Sequence, residues 1–151
     1  MSLLIRYKGI EEERFQDAPF IGALILSIGC SHNCPGCFNQ YLRSRPFQTA
    51  TAEDIIREVK DNPLHQGIIL GGLEWTEQQN EMNDLIIEAQ KNGLEVMLYT
   101  HHTKSWMLRN IPRVFGSGIY VKFGEYKEGE ESHQSNGVWL ASNNQYIEKL
   151  D

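Results

Sequence analysis

No fourth cysteine accompanies Cys30, Cys34 and Cys37, no apolar run approaches the length of a membrane helix, and no block of basic residues occurs in this 151-residue chain. Each absence removes a class of function. A helix that spans a bilayer needs about 20 consecutive apolar residues, so no membrane partner is expected. The opening "MSLLIRYKGIEEERF" turns charged too soon to hold the apolar centre of a secretory signal, and the expected location is the cytoplasm. In a reducing compartment, an odd number of cysteines argues against a disulfide framework and leaves the thiols for metal binding or catalysis. Fourteen basic residues stand against 20 acidic ones, a formal charge of −6, which is the wrong sign for following a phosphate backbone. No nucleic-acid partner is expected.

Internal repeats and low-complexity linkers are also missing, so residues 1–151 read as a single domain. A chain of this length buries a core without disulfide or metal staples. The hydrophobic fraction of 40% and charged fraction of 23% are those of a soluble globular protein. The cysteines therefore read as chemical and not structural.

What the chain does have is alternation. "ALILSIG" (Ala23 to Gly29) is a short apolar run ending in glycine, the pattern of a strand buried on both faces. "TAEDIIREVKD" begins with Thr51 as N-cap and sets Ile55, Ile56 and Val59 on one helical face. "QGIILGG" (Gln66 to Gly72) is the next strand, and "NEMNDLIIEAQKNG" is a helix stopped at Asn92-Gly93. "LEVMLYT" (Leu94 to Thr100) reads as a strand, "KSWMLRN" as a short helix closed by Pro112 with Trp106 and Met107 in the core, and "GIYVKFGEY" (Gly118 to Tyr126) as a further strand. The acidic run Glu125 to Glu131 reads as a solvated loop. Units of this kind imply an α/β fold with right-handed crossovers and a mainly parallel sheet, whose ligands bind at the carboxyl ends of the strands. The cysteine loop, "GGLEW" and "THHTK" each follow a strand, so the topology predicts that they share one rim.

Three thiolates are one short of a closed structural zinc site. His32, inside the loop, could supply a fourth ligand if the chain folds back tightly. The alternative is a cubane 4Fe-4S cluster, in which three irons take thiolates and the fourth keeps an open position.

The segment "GCSHNCPGCFNQ", with three residues between Cys30 and Cys34 and two between Cys34 and Cys37, closely resembles the cysteine loop of the radical S-adenosylmethionine superfamily. The resemblance implies that Cys30, Cys34 and Cys37 ligate a 4Fe-4S cluster. It also implies that S-adenosyl-L-methionine chelates the fourth iron and is reductively cleaved there. Where the superfamily usually carries Gly-Gly-Glu or Gly-Gly-Asp and then proline, this chain has "GGLEW", with Leu73 interposed and Trp75 in place of proline. Gly71, Gly72 and Glu74 are the corresponding candidates for holding S-adenosylmethionine, and Phe38 is a candidate to shield the cluster or pack near the adenine.

Within the superfamily, the chain is most similar to the activating proteins of anaerobic (class III) ribonucleoside-triphosphate reductase. The similarity rests on the "CPGC" core with Asn39 after it, on "LYT", and on the closing "GVWLASNNQYIEKL", from which Asn143 and Asn144 are further rim candidates. The histidine pair after "LYT" is a departure from that family, and His101 and His102 read as solvated loop residues. The resemblance implies a glycyl-radical activase, with the reductase as partner and an electron donor such as flavodoxin; no protein acid or base is required. A complete eight-unit barrel takes roughly 250 residues, so the expected fold is a partial (β/α) barrel, open along one side to admit a macromolecular substrate. The alternatives are another radical enzyme, such as an activase of a different glycyl-radical protein or a deazaguanine synthase, and a non-enzymatic zinc or cluster module.

Overall fold

The computed structural model describes residues 3–30, 40–127 and 129–151. In chain order, the strands and helices among them are β1 (Leu4–Tyr7), β2 (Ile10–Arg14), β3 (Gly22–Leu26), β4 (Gln48–Thr51), α1 (Ala52–Lys60), β5 (Gly67–Gly71), α2 (Gln79–Lys91), β6 (Glu95–Tyr99), α3 (Lys104–Asn110), β7 (Tyr120–Phe123), β8 (His133–Ser135), β9 (Val138–Leu140) and β10 (Tyr146–Lys149). No helix among the described residues is long and apolar enough to cross a membrane.

The principal sheet has six strands in the order β10-β7-β6-β5-β3-β2. Its centre, β3-β5-β6-β7, is parallel, while β2 and β10 pair antiparallel at the two edges. Consecutive parallel strands lie side by side, so each right-handed crossover steps the same way and delivers its helix to the same face. That face holds the main core. Ala23, Ile25, Ile68, Leu70, Val96, Leu98, Val121 and Phe123 of the strands pack there against Ile55, Ile56 and Val59 of α1, Met82, Leu85, Ile86 and Ala89 of α2, and Met107 of α3. Residues one position out of phase point to the opposite face, where Ile69, Met97 and Ile147 meet Val138 and Leu140 of the β8–β9 hairpin.

Local chemistry sets the ends of the elements. Thr51 caps α1, its hydroxyl accepting from Asp54 N at 3.2 Å, and Thr103 caps α3 through Trp106 N at 3.2 Å. α2 stops at Asn92, and Gly93 takes φ +73°, as the notably glycine-rich ends of helices do. The strand expected over Gly118 to Tyr126 forms only from Tyr120 to Phe123, because Gly118 (φ +83°) and Gly124 (φ +101°) turn the chain at either end. The run from Ala23 to Gly29 is strand only as far as Leu26. Beyond it, Ser27 N–H donates to Gly71 O at 3.0 Å and the chain leaves the ladder. Met107 is buried as expected, but Trp106 is half-buried and stacks on the ring of His102.

The sheet-edge strands and the β1–β4 and β8–β9 ladders were not foreseen in the alternating pattern. β1 pairs antiparallel with β4, so the segments before and after the cysteine loop are joined in one ladder.

Candidate metal centre

The carboxyl ends of β3, β5, β6 and β7 open into a cleft of about 430 Å³ on the face away from the helices. Leu24, Leu26, Ile69, Gly71, Tyr99 and Lys122 form its walls, and Cys30, Gly72, Glu74 and His101 stand along its rim. The cysteine loop, "GGLEW" and "THHTK" do therefore meet there, through Cys30, Gly71 to Glu74, and Thr100 with His101.

Cys30 is fixed by the turn that follows β5. Glu74 N–H donates to Gly29 O at 2.9 Å, Leu73 N–H to Ser27 Oγ at 2.8 Å, and Ile28 N–H to Gln78 Oε1 at 3.0 Å. Arg43 Nη1 donates to the Cys30 carbonyl at 2.6 Å. The close approach of these two turns needs glycine. A Cβ on Gly71 would lie 2.9 Å from Leu24 Cδ1, and Gly72 adopts φ +92° with Leu26 Cα and Ser27 N each 3.2 Å from where its Cβ would stand.

Glu74 is only 2% exposed and fully engaged. One carboxylate oxygen accepts from Thr76 Oγ1 (2.7 Å) and Thr76 N (3.3 Å), capping the 3-10 turn Trp75–Gln78; the other accepts from His101 N (2.9 Å) and faces His101 Nδ1 at 3.2 Å. Trp75 is wholly buried beneath this turn, its indole N–H donating to Ile25 O at 3.0 Å. His101 Nδ1 also lies 3.7 Å from Cys30 Sγ. The ligand atoms of Glu74, His101 and His102 fall within 4.8 Å of one another, a second grouping that could hold a metal ion.

Two buried lysines organise the walls. Lys122 donates to the carbonyls of Thr100 (3.0 Å) and Gly124 (2.8 Å), tying the loops after β6 and β7 together, with its amine 5.8 Å from the Tyr99 ring centre. Lys8 donates to Leu42 O (2.5 Å) and Arg43 O (3.0 Å), anchoring the 3-10 turn Gln40–Ser44 that closes the cysteine loop. Burial, and then the charges of Arg43 and Arg45, hold the Lys8 amine below the ordinary lysine range. Tyr99 donates its hydroxyl to Asp17 O at 2.5 Å; burial first, and the Asp17 charge second, push its phenol well above the usual range.

A cysteine sulfur at the rim, with two more cysteines in the loop it opens and a floor where Gly72 at φ +92° disfavours any side chain, is a donor set and a cradle that fit an iron–sulfur cluster. The family model described as "4Fe-4S single cluster domain" matches residues 21–148. The chain belongs to that family. It is similar to proteins named "Anaerobic ribonucleoside-triphosphate reductase-activating protein". The one from Salmonella typhi is 26% identical over 81% of this chain and 84% of the relative, and the one from Escherichia coli (strain K12) 25% identical over the same shares. A shorter match, 32% identical over 48% of this chain and 53% of the relative, is to the protein of that name from Salmonella typhimurium.

As a member of the 4Fe-4S single cluster family, the chain brings Cys30, Gly71, Gly72 and Glu74 to one cleft. Cys34, Cys37, Phe38 and His32 lie outside the described residues. Asn143 and Asn144 are not among the residues lining the cleft. Asn143 is exposed, and Asn144 turns its amide to Glu125 O at 2.9 Å while its buried Oδ1 has no hydrogen-bond partner among the described residues. It is Gln145 that reaches the cleft, held by Ser142 N (3.2 Å) and donating to Gly124 O (3.2 Å). Sequence reasoning also missed Lys8 and Lys122, and it set His101 on the rim without assigning it a role. A lysine inside an apolar strand, as in "YVKF", is the signal that could have found Lys122.

Proposed function

We propose that this protein is a radical S-adenosylmethionine activase that installs a glycyl radical on an anaerobic ribonucleoside-triphosphate reductase. The observation that carries the reading is the place of Cys30, at the carboxyl rim of a parallel core and beside a cleft floored by Gly71 and Gly72. Cys30, Cys34 and Cys37 hold the cluster. When bound, it supplies the single electron that cleaves S-adenosylmethionine. The chain's own residues do the rest by placement. Gly71 and Gly72 admit the ligand's polar end to the backbone, and Leu24, Leu26, Ile69 and Tyr99 give the cleft an apolar wall that excludes water. Lys122 fixes the loops on the β6 and β7 side. Glu74, whose oxygens are both engaged, orders the rim and is not a direct ligand contact in this scheme.

The consecutive strand order, with α1, α2 and α3 on one face, supports a partial (β/α) barrel wall in which that cleft is the inner surface. Trp139 is 66% exposed on the β8–β9 hairpin and lines the cleft, which makes it the candidate to meet the reductase segment that carries the glycine. A small electron carrier such as flavodoxin would reduce the cluster.

The test is anaerobic reconstitution with iron and sulfide, reduction, and assay for 5'-deoxyadenosine together with the glycyl electron-resonance signal on added reductase. Cys34→Ala should abolish both. Cleavage retained in that variant, or one zinc per chain without sulfide, refutes the reading.

A further inference from the structure

The two places where the chain departs from the pattern it resembles, the "GGLEW" stretch and the histidine pair, come together in space beside Cys30. Glu74 Oε1 accepts from His101 N at 2.9 Å and faces Nδ1 at 3.2 Å, and the same Nδ1 lies 3.7 Å from Cys30 Sγ. Once Cys30 is deprotonated to bind metal, this imidazole nitrogen lies between a carboxylate and a thiolate, both of them acceptors. A bare lone pair there would be repelled by both, so Nδ1 carries the hydrogen. The ring is held in that direction from several sides. Its backbone is bonded to a carboxylate that Thr76 locks in place, and His102, itself stacked on Trp106 (centroids 3.4 Å apart, planes 4° apart), packs against it edge-on at 4.1 Å.

We propose that His101 is a positioning residue for Cys30, directing its Nδ1–H at the thiolate sulfur under the control of Glu74, and that this hydrogen bond raises the reduction potential of the cluster. The physical ground is that one-electron reduction adds negative charge which spreads onto the ligating sulfurs. A donor aimed at one of them stabilises the reduced state more than the oxidised one. Glu74 opposes part of this with its own charge but supplies the orientation, so the carboxylate and imidazole act as one unit. The proposal rests on Cys30 being a cluster ligand and is independent of what the reduced cluster then does.

The experiment compares wild type, His101→Leu and His101→Asn after anaerobic reconstitution, with iron and sulfide measured per chain and the cluster titrated potentiometrically by electron resonance. Asparagine can place an amide N–H where Nδ1 stands, whereas leucine fills the space without a donor. The result expected is full loading in all three, with the ratio of reduced to oxidised cluster in His101→Leu at least tenfold lower at a given poise, 59 mV for a one-electron couple. His101→Asn should recover more than half of that loss. Equal potentials in three fully loaded proteins overturn the proposal alone, and a wild type that assembles no iron and sulfide overturns the cluster reading with it. If His101→Leu does not fold, 15N-histidine-labelled wild type decides: a weak 15N coupling to the reduced cluster, lost in His101→Asn, supports the proposal, and its absence in the wild type overturns it.

Discussion

Replacing Gly72 by alanine tests how the site's backbone is held. Gly72 sits at φ +92°, where an L side chain is strained, and its Cβ would stand 3.1 Å from Leu26 Cδ2 and 3.2 Å from both Leu26 Cα and Ser27 N. Two of those three neighbours are backbone and cannot rotate away. They are also pinned, since Ser27 N–H donates to Gly71 O at 3.0 Å and Leu73 N–H to Ser27 Oγ at 2.8 Å. A non-glycine residue in such a conformation costs about 1–3 kcal/mol. In a domain of this size each kcal/mol moves the melting temperature by about 2–4 °C, so a mid-range cost of about 2 kcal/mol lowers it by about 4–8 °C. The assay is thermal unfolding of the cluster-free protein under reducing conditions, followed by circular dichroism. Gly71→Ala is the control: Gly71 has no positive φ, and its Cβ would meet Tyr99 Cδ1 at an ordinary 4.0 Å and crowd the Leu24 Cδ1 methyl at 2.9 Å, which can move for about 1 kcal/mol. A Gly72→Ala protein that melts with the wild type, or a Gly71→Ala protein that loses more, refutes the reasoning.

Other perturbations follow from the same contacts. Trp75→Ala removes a wholly buried indole and leaves a cavity under the Glu74 turn; a loss of about 3–5 kcal/mol is expected in urea unfolding. Lys122→Met leaves the Thr100 and Gly124 carbonyls without the amine that joins them, a loss of about 1–3 kcal/mol seen as a lower urea midpoint at unchanged slope. The Tyr99 phenol is raised in the folded protein, so its contribution is complete below the unfolded value of about 10 and is lost as pH climbs from there toward the folded value. Tyr99→Phe should therefore flatten the fall of unfolding free energy above pH 10, by up to about 1.4 kcal/mol per pH unit. An identical alkaline slope in both proteins would dispose of this assignment.

The helices and central strands were legible because each carries a local signal. Ile55, Ile56 and Val59 mark a helical face after Thr51, and the apolar runs around Ile69 and Leu98 can be buried only between covered faces. The edge strands were not legible, since "IEEER" of β2 and "YIEK" of β10 look like solvated chain. They are strands because a neighbour offers a ladder, a fact that belongs to tertiary structure. At the site, the rule that ligands gather at carboxyl ends of parallel strands found Cys30, Gly71 and Gly72. The same rule put His101 on the rim, but its role was not legible because it depends on a carboxylate 27 residues earlier. Gln145 was missed by one position, since which residue of the Ser142–Gln145 turn faces inward depends on backbone dihedrals and not on composition.

The consecutive strand order also has a consequence for synthesis of the protein. β3, β5, β6 and β7 lie across the sheet in the order in which they leave the ribosome, so each new strand finds its partner already in place at the growing edge. β10 follows them and caps β7 antiparallel, register Tyr146 to Phe123 through Lys149 to Tyr120. Until it arrives, β7 presents an unpaired edge, an invitation to intermolecular pairing. A chain released at residue 145 should therefore aggregate more than one carried through residue 151, which sedimentation of the two translation products would read directly. The four residues of β10 thus act as a seal on the growing edge.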